Sequence, residues 1–133
     1  MGERLYIVEG NQTTTVASIS AMIRKIRYSK NIDHSIPLLV IIDFMQHISS
    51  GNEKLDNGAD ETARMNSIAL QLKQMARGDN VALIGISDIN KDSYQRGSKS
   101  GGYDMAAMRG SFRTAHTADV IMAVQSESTK NGQ

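Results

Sequence analysis

The run Pro37-Leu38-Leu39-Val40-Ile41-Ile42-Asp43-Phe44-Met45-Gln46 restricts the fold more than any other stretch of the chain. Five large aliphatic residues lead directly into a carboxylate. A run this short, apolar and β-branched reads as a strand buried on both faces, as in a parallel sheet. An Asp at the carboxyl end of such a strand stands where open α/β sheets bind their ligands.

The surrounding sequence repeats the pattern. Leu5-Tyr6-Ile7-Val8 is a short strand candidate, closed by the loop signals Gly10-Asn11. Thr13 or Thr14 is placed to cap a helix running to about Tyr28, with Val16, Ile19, Ile23 and Ile26 on its apolar stripe. Arg24, Lys25, Arg27 and Lys30 gather at its end, complementing the helix dipole as a solvated cluster. After the Asp43 strand, expected over about Leu38 to Phe44, residues 49–58 read as a mobile polar loop. A second helix is expected from about Asp60 to Arg77, burying Met65, Ile68, Leu72 and Met75, with Gly78 as its stop. Val81 to Ser87 reads as another buried strand. Lys91 to Asp104 reads as a flexible loop, Met105 to His116 as the place of a short helix, and Asp119 to Val124 as a last strand. Strands alternating with amphipathic helices imply an α/β fold, a mostly parallel sheet flanked by helices. Asn131-Gly132 is a strong hairpin signal with only Gln133 after it. Residues 126–133 therefore read as a truncated hairpin or a frayed tail.

Composition narrows the function classes. At 133 residues the chain fits one domain, and 40% hydrophobic with 22% charged residues is the ordinary globular range. A formal net charge of +1 gives no global pull toward nucleic acid or membrane, so any such site must be a local cluster. Cysteine is absent, which excludes disulfides and thiolate metal sites and fits a cytoplasmic protein. No apolar run approaches the ~20 residues of a membrane span, and the N-terminus carries no signal-peptide stretch. His34, His47 and His116 show no metal-ligand spacing.

Three strand ends carry polar groups: Asp43 with Gln46; Ser87 with Asp88 and Asn90; and Arg109, Gly110 and Ser111 before the last strand. In a parallel sheet these gather on one rim. In P-loop nucleotide hydrolases an Asp placed like Asp43 holds Mg²⁺ for the nucleotide phosphates, although it reads equally as a plain capping carboxylate. No Gly-x-x-x-x-Gly-Lys-Ser/Thr cradle occurs in this sequence.

The segments LLVIIDFMQ, LKQMARGDNVALIGISDINK and MRGSFRTAHTADVIMAV occur in order and at compatible spacing, and LYIVEG precedes them. Together, over roughly residues 4–125, they resemble the C-terminal motor domain of the DnaB-type replicative DNA helicases, within the RecA-like ATPases. Recombinases and circadian-clock ATPases of the wider superfamily share part of the pattern. The resemblance implies a partial RecA-like core carrying the Walker B half of a motor. Asp43 matches the Walker B aspartate, the expected catalytic and magnesium-holding carboxylate. Gln46 matches the glutamine after it, and Ser87 joins them as nucleotide-binding. Asp88, expected as a catalytic residue beside Asp43, falls where the family carries a glutamine that senses the γ-phosphate. A carboxylate there repels phosphate rather than donating to it, unless it approaches the metal. Arg109, Gly110 and Ser111 match the loop that touches the single-strand backbone, and Lys91, Arg96 and Lys99 add positive charge nearby. Tyr94, Tyr103 and Phe112 are available for stacking on bases.

The family's Walker A loop and catalytic glutamate lie upstream of the matched region, and its arginine finger downstream. The resemblance thus implies ATP and magnesium as cofactors of a parent protein, single-stranded DNA and a hexameric ring as its partners, and an isolated chain without activity. The alternatives are a nucleotide-independent binding or assembly module derived from the same fold, or a recombinase- or clock-type ATPase.

Overall fold

The computed structural model describes residues 5–87, 117–122 and 124. In chain order these residues form α1 (Val16–Ser29), β1 (Leu38–Ile42), a 3-10 turn (Met45–His47), the one-turn α2 (Glu53–Asp56), α3 (Glu61–Gly78) and β2 (Val81–Gly85). The strands pair in parallel, Leu38 against Val81 through Ile42 against Gly85. A parallel pair needs a crossover, and α2 with α3 supplies it. This is the α/β arrangement expected from the alternating pattern.

Local chemistry explains the helix ends. Thr15, one or two residues beyond the expected caps, opens α1 with a capping box. Its hydroxyl accepts from the Ser18 amide, and Ser18 Oγ accepts from the Thr15 amide. Asp60 caps α3 by accepting from the Ala63 amide. The helix runs through Gly78 and ends at Asp79, and Asn80 takes the left-handed conformation that follows (φ 49°).

One core joins these elements. Val16 and Ile23 of α1, Met65, Ile68, Ala69, Leu72 and Met75 of α3, Met45, Ile48 and Val81 are buried together. Leu38, Val40, Ile42 and Leu83 pack against them from one face of the sheet. The opposite face behaves otherwise than the sequence suggests. Leu39 (62% exposed) and Ile41 (58%) point to solvent, as do Ile84 and Ile86. The run is apolar on both faces, but among the described residues α1 and α3 cover only one, so burial alternates along β1. Leu5 to Val8 and the described part of 119–124 are exposed and outside the sheet, contrary to the strands expected there. A strand exists only through a ladder partner, and the described sheet has two strands. No helix among the described residues is long and apolar enough to cross a membrane.

Two polar clips fasten the layers. Arg27, expected at a solvated helix end, is 6% exposed and points inward. Its Nη1 donates to the carbonyls of Asp33 and Ile36, and its Nη2 to those of Asp79 and Asn80. Asp79 is also buried, accepting from Ser20 Oγ and from Arg24 Nε at 2.8 Å. Burial pushes the Asp79 carboxyl up. The Ser20 hydroxyl and the Arg24 guanidinium outweigh this and hold it below the usual carboxylate range. A carboxyl whose folded pKa is depressed adds stability above its unfolded pKa, about 3.9, and loses it as pH falls through the folded value. Urea midpoints should therefore drop steeply below about pH 4. Asp79→Asn should lower the midpoint at pH 7 and flatten that acid slope. An unchanged slope in the variant would place the acid sensitivity elsewhere, on Asp33 or Asp56, whose carboxyls are also held low by serine donors.

Candidate functional site

Asp43 follows β1 directly, and its side chain is exposed at the carboxyl end of the sheet. The 3-10 turn after it has Phe44 at its N-cap. The Asp43–Phe44 peptide is cis. The turn then folds back over the end of β2. The Met45 amide donates to Ile86 O at 2.8 Å, and the Ile86 amide donates to Ile42 O at 2.9 Å. Met45 packs so closely on Gly85 that a Cβ there would meet its Sδ at 2.6 Å. A larger residue at this position would force the Met45 side chain to shift.

This backbone arrangement brings the first two strand ends together. Gln46 Nε2 donates to Ser87 Oγ at 2.8 Å, across 41 residues of sequence. Asp43, Gln46 and Ser87 thus occupy one rim, the carboxyl ends of β1 and β2. Phe44 and His47 contact each other in a tilted arrangement, ring centroids 4.2 Å apart, on the same turn. Asp88, Lys91, Arg96, Lys99, Arg109, Gly110 and Ser111 lie outside the described residues, as do Tyr94, Tyr103, Phe112 and the 126–133 tail.

The segment after the turn is held, not loose. Residues 49–58, expected as a mobile loop, contain α2 and a dense set of hydrogen bonds. Ser49 bridges in parallel to Thr15, its amide donating to Thr14 O at 2.8 Å. Asp56 accepts from Ser49 Oγ and the Ser50 amide, and these donors hold its carboxyl below the usual range. Gln71 Nε2 donates to Ser50 O at 2.9 Å. Arg64 of α3 donates to Ile48 O at 2.7 Å and Gln46 O at 2.9 Å while pairing with Glu61.

Arg64 and Asp79 were not singled out as site or core residues by sequence. A signal for both existed. An arginine in the first turns of α3 and a carboxylate just past its end are each on the wrong side of the helix dipole. Charges so placed need specific partners, and both have them.

The donor set at the rim decides what cation would suit it. No group of three or more His, Cys, Asp or Glu that could hold a metal occurs among the described residues. One exposed carboxylate flanked by neutral oxygen donors is not a dedicated cage. It does fit Mg²⁺, which keeps most of its waters and takes phosphate oxygens as further ligands. Of the described residues, Asp43 would hold the ion, and Gln46 and Ser87 stand beside it. An open groove of about 520 Å³ lined by Arg24, Arg27, Tyr28 and Asp33 lies in the segment that enters β1, at the other end of the strand from Asp43.

Comparison with known proteins bears on this arrangement. The model of the DnaB-like helicase C terminal domain family matches residues 2–133. No curated protein and no solved structure matches the chain.

Proposed function

The chain belongs to the DnaB-like helicase C-terminal domain family, and on that premise we propose that it is the Walker B part of a replicative helicase motor that couples ATP hydrolysis to movement along single-stranded DNA. Its RecA-like fold and replicative-helicase origin follow from the family. The observation that carries the finer reading is the position of Asp43, exposed at the end of a parallel strand with Gln46 and Ser87 beside it.

In this reading Asp43 holds Mg²⁺ against the nucleotide phosphates, and the ion supplies charge neutralisation there when bound. Gln46 and Ser87 tie the ends of the two strands, so that a displacement at one is felt at the other. Asp88, next along from Ser87, stands where the family places a phosphate-sensing glutamine. Arg109, Gly110 and Ser111, with Lys91, Arg96 and Lys99, contact the backbone of the single strand without reading bases. The phosphate cradle comes from outside this sequence, and hexameric assembly multiplies weak DNA contacts by avidity. Asp88 favours one second reading, a nucleotide-independent assembly module in which phosphate sensing has been given up.

DNA contact is tested by fluorescence anisotropy with a labelled oligonucleotide at two salt concentrations. The isolated chain should bind weakly and without sequence preference, and each phosphate contact removed should reduce the salt slope by roughly 0.7. Affinity indifferent to salt, or to Arg109→Ala, would remove this loop from the DNA interface.

A further inference from the structure

The polar bonds between α3 and the segment that follows Asp43 form a pattern. The carbonyls of Gln46, Ile48 and Ser50, alternate residues of that segment, all accept from α3 side chains. The donors are Arg64 and Gln71. They are seven residues apart, two turns and roughly 10 Å along one helix face. Arg64 serves two of the three carbonyls, and it does so from a fixed pose. Its Nε donates to Glu61 Oε2 at 2.8 Å and its Nη2 to Glu61 Oε1 at 2.7 Å, a bidentate fork. The Arg64 side chain is 12% exposed, against 59% for Glu61, so the guanidinium is sheltered while its counter-ion faces solvent.

We propose that Arg64 is a positioning residue for the Asp43–Gln46 segment: by clamping the Gln46 and Ile48 carbonyls to α3, it fixes where the turn presents Asp43 and the Gln46 amide. The inference rests on the reading of Asp43 as the magnesium-holding carboxylate.

The geometry explains why arginine stands here. A planar guanidinium donates in three directions at once, to one carboxylate and two carbonyls, which a lysine ammonium cannot match in a fixed fork. Gln46 is gripped at both ends, its backbone by Arg64 and its side chain by Ser87. The Arg64 clamp therefore reaches, through one residue, Ser87 just past the end of β2. The Glu61 carboxylate hydrogen-bonded to Arg64 raises the pKa of the guanidinium further, so the clamp keeps its charge. Residues that orient a metal-holding group typically change metal affinity or activity by roughly 10- to 100-fold when lost.

The test uses the complete protein that carries this domain, with Arg64→Lys, Glu61→Gln and Asp43→Asn compared with wild type. Mn²⁺ binding in the presence of a non-hydrolysable ATP analogue is read by electron paramagnetic resonance, alongside thermal midpoints and steady-state ATP hydrolysis. Arg64→Lys should weaken Mn²⁺ binding and lower kcat by roughly tenfold, with KM for ATP nearly unchanged. Glu61→Gln, a change on an exposed side chain that does not endanger the fold, should move both in the same direction by a smaller factor. A merely structural arginine would lower the thermal midpoint and leave Mn²⁺ affinity alone. Wild-type Mn²⁺ affinity in both Arg64→Lys and Glu61→Gln, with Asp43→Asn weakened, overturns the role of Arg64 and leaves Asp43 in place. Unchanged affinity in Asp43→Asn overturns the metal assignment and this inference with it.

Discussion

Arg27→Ala should cost about 2–4 kcal/mol, a large share of the 5–15 kcal/mol that holds a typical domain together. The side chain carries no direct carboxylate partner. Its two terminal nitrogens are spent on four backbone carbonyls, at 2.9 to 3.1 Å, in two separate connections. Asp33 and Ile36 belong to the segment entering β1, and Asp79 and Asn80 to the segment entering β2. One residue of α1 therefore fixes the start of both strands. Truncation removes all four bonds; the one to Asp79 O is buried, and a carbonyl left there without a donor costs about 1–3 kcal/mol, while water can replace part of the three part-buried ones. It also opens a void beneath a buried side chain. Arg27→Met should restore packing and little else, because the carbonyls remain unanswered. Arg27→Lys should recover part of the loss. Urea unfolding of the three variants measures the ranking. A cost for Arg27→Ala within the 0.5 kcal/mol typical of surface positions would contradict the clip.

The same residue shows where sequence reasoning reaches and where it stops. The apolar stripes of α1 and α3 were legible, because a 3.6-residue period leaves Val16, Ile23, Met65, Ile68, Leu72 and Met75 on one side of each helix and all six are buried. The parallel relation of β1 and β2 was legible from the helical crossover between them. Arg27 was misread. A basic residue in the last turn of a helix suits the dipole whether it faces water or protein, which favoured the solvated reading, although the period that aligns Val16 and Ile23 also places Arg27 on their face and leaves its exposed neighbours Arg24 and Lys25 off it. Two-sided burial of β1 failed for a related reason. An apolar run reports that both faces tolerate burial, and what covers them is a tertiary fact. The 49–58 segment looked loose because it is polar and contains glycine. Its order comes from Asp56 and Ser49 bonding to one another, short-range polar pairing that composition does not reveal.

Of the candidate site, Asp43 at the strand end was readable from one motif, and its adjacency to Ser87 followed from placing two parallel strands side by side. What holds the turn in shape was not readable, since Arg64 and Gln71 reach backbone carbonyls, which any sequence offers everywhere.

We propose that this chain contributes the metal-holding part of an ATP-driven DNA motor. The cradle, general base and arginine finger supply most of the electrostatic stabilisation of phosphoryl transfer, and none is expected within these residues. The measurement that addresses it most directly is phosphate release from ATP, with and without single-stranded DNA. It is run on the isolated chain and on the complete protein, each as wild type and as Asp43→Ala. The isolated chain should show no turnover above background. The complete protein should hydrolyse ATP, and Asp43→Ala should reduce its rate by on the order of 10²-fold or more, equivalent to about 2.7 kcal/mol of lost transition-state stabilisation. Turnover by the isolated chain that Asp43→Ala abolishes, or full turnover by the complete protein without Asp43, would contradict the account.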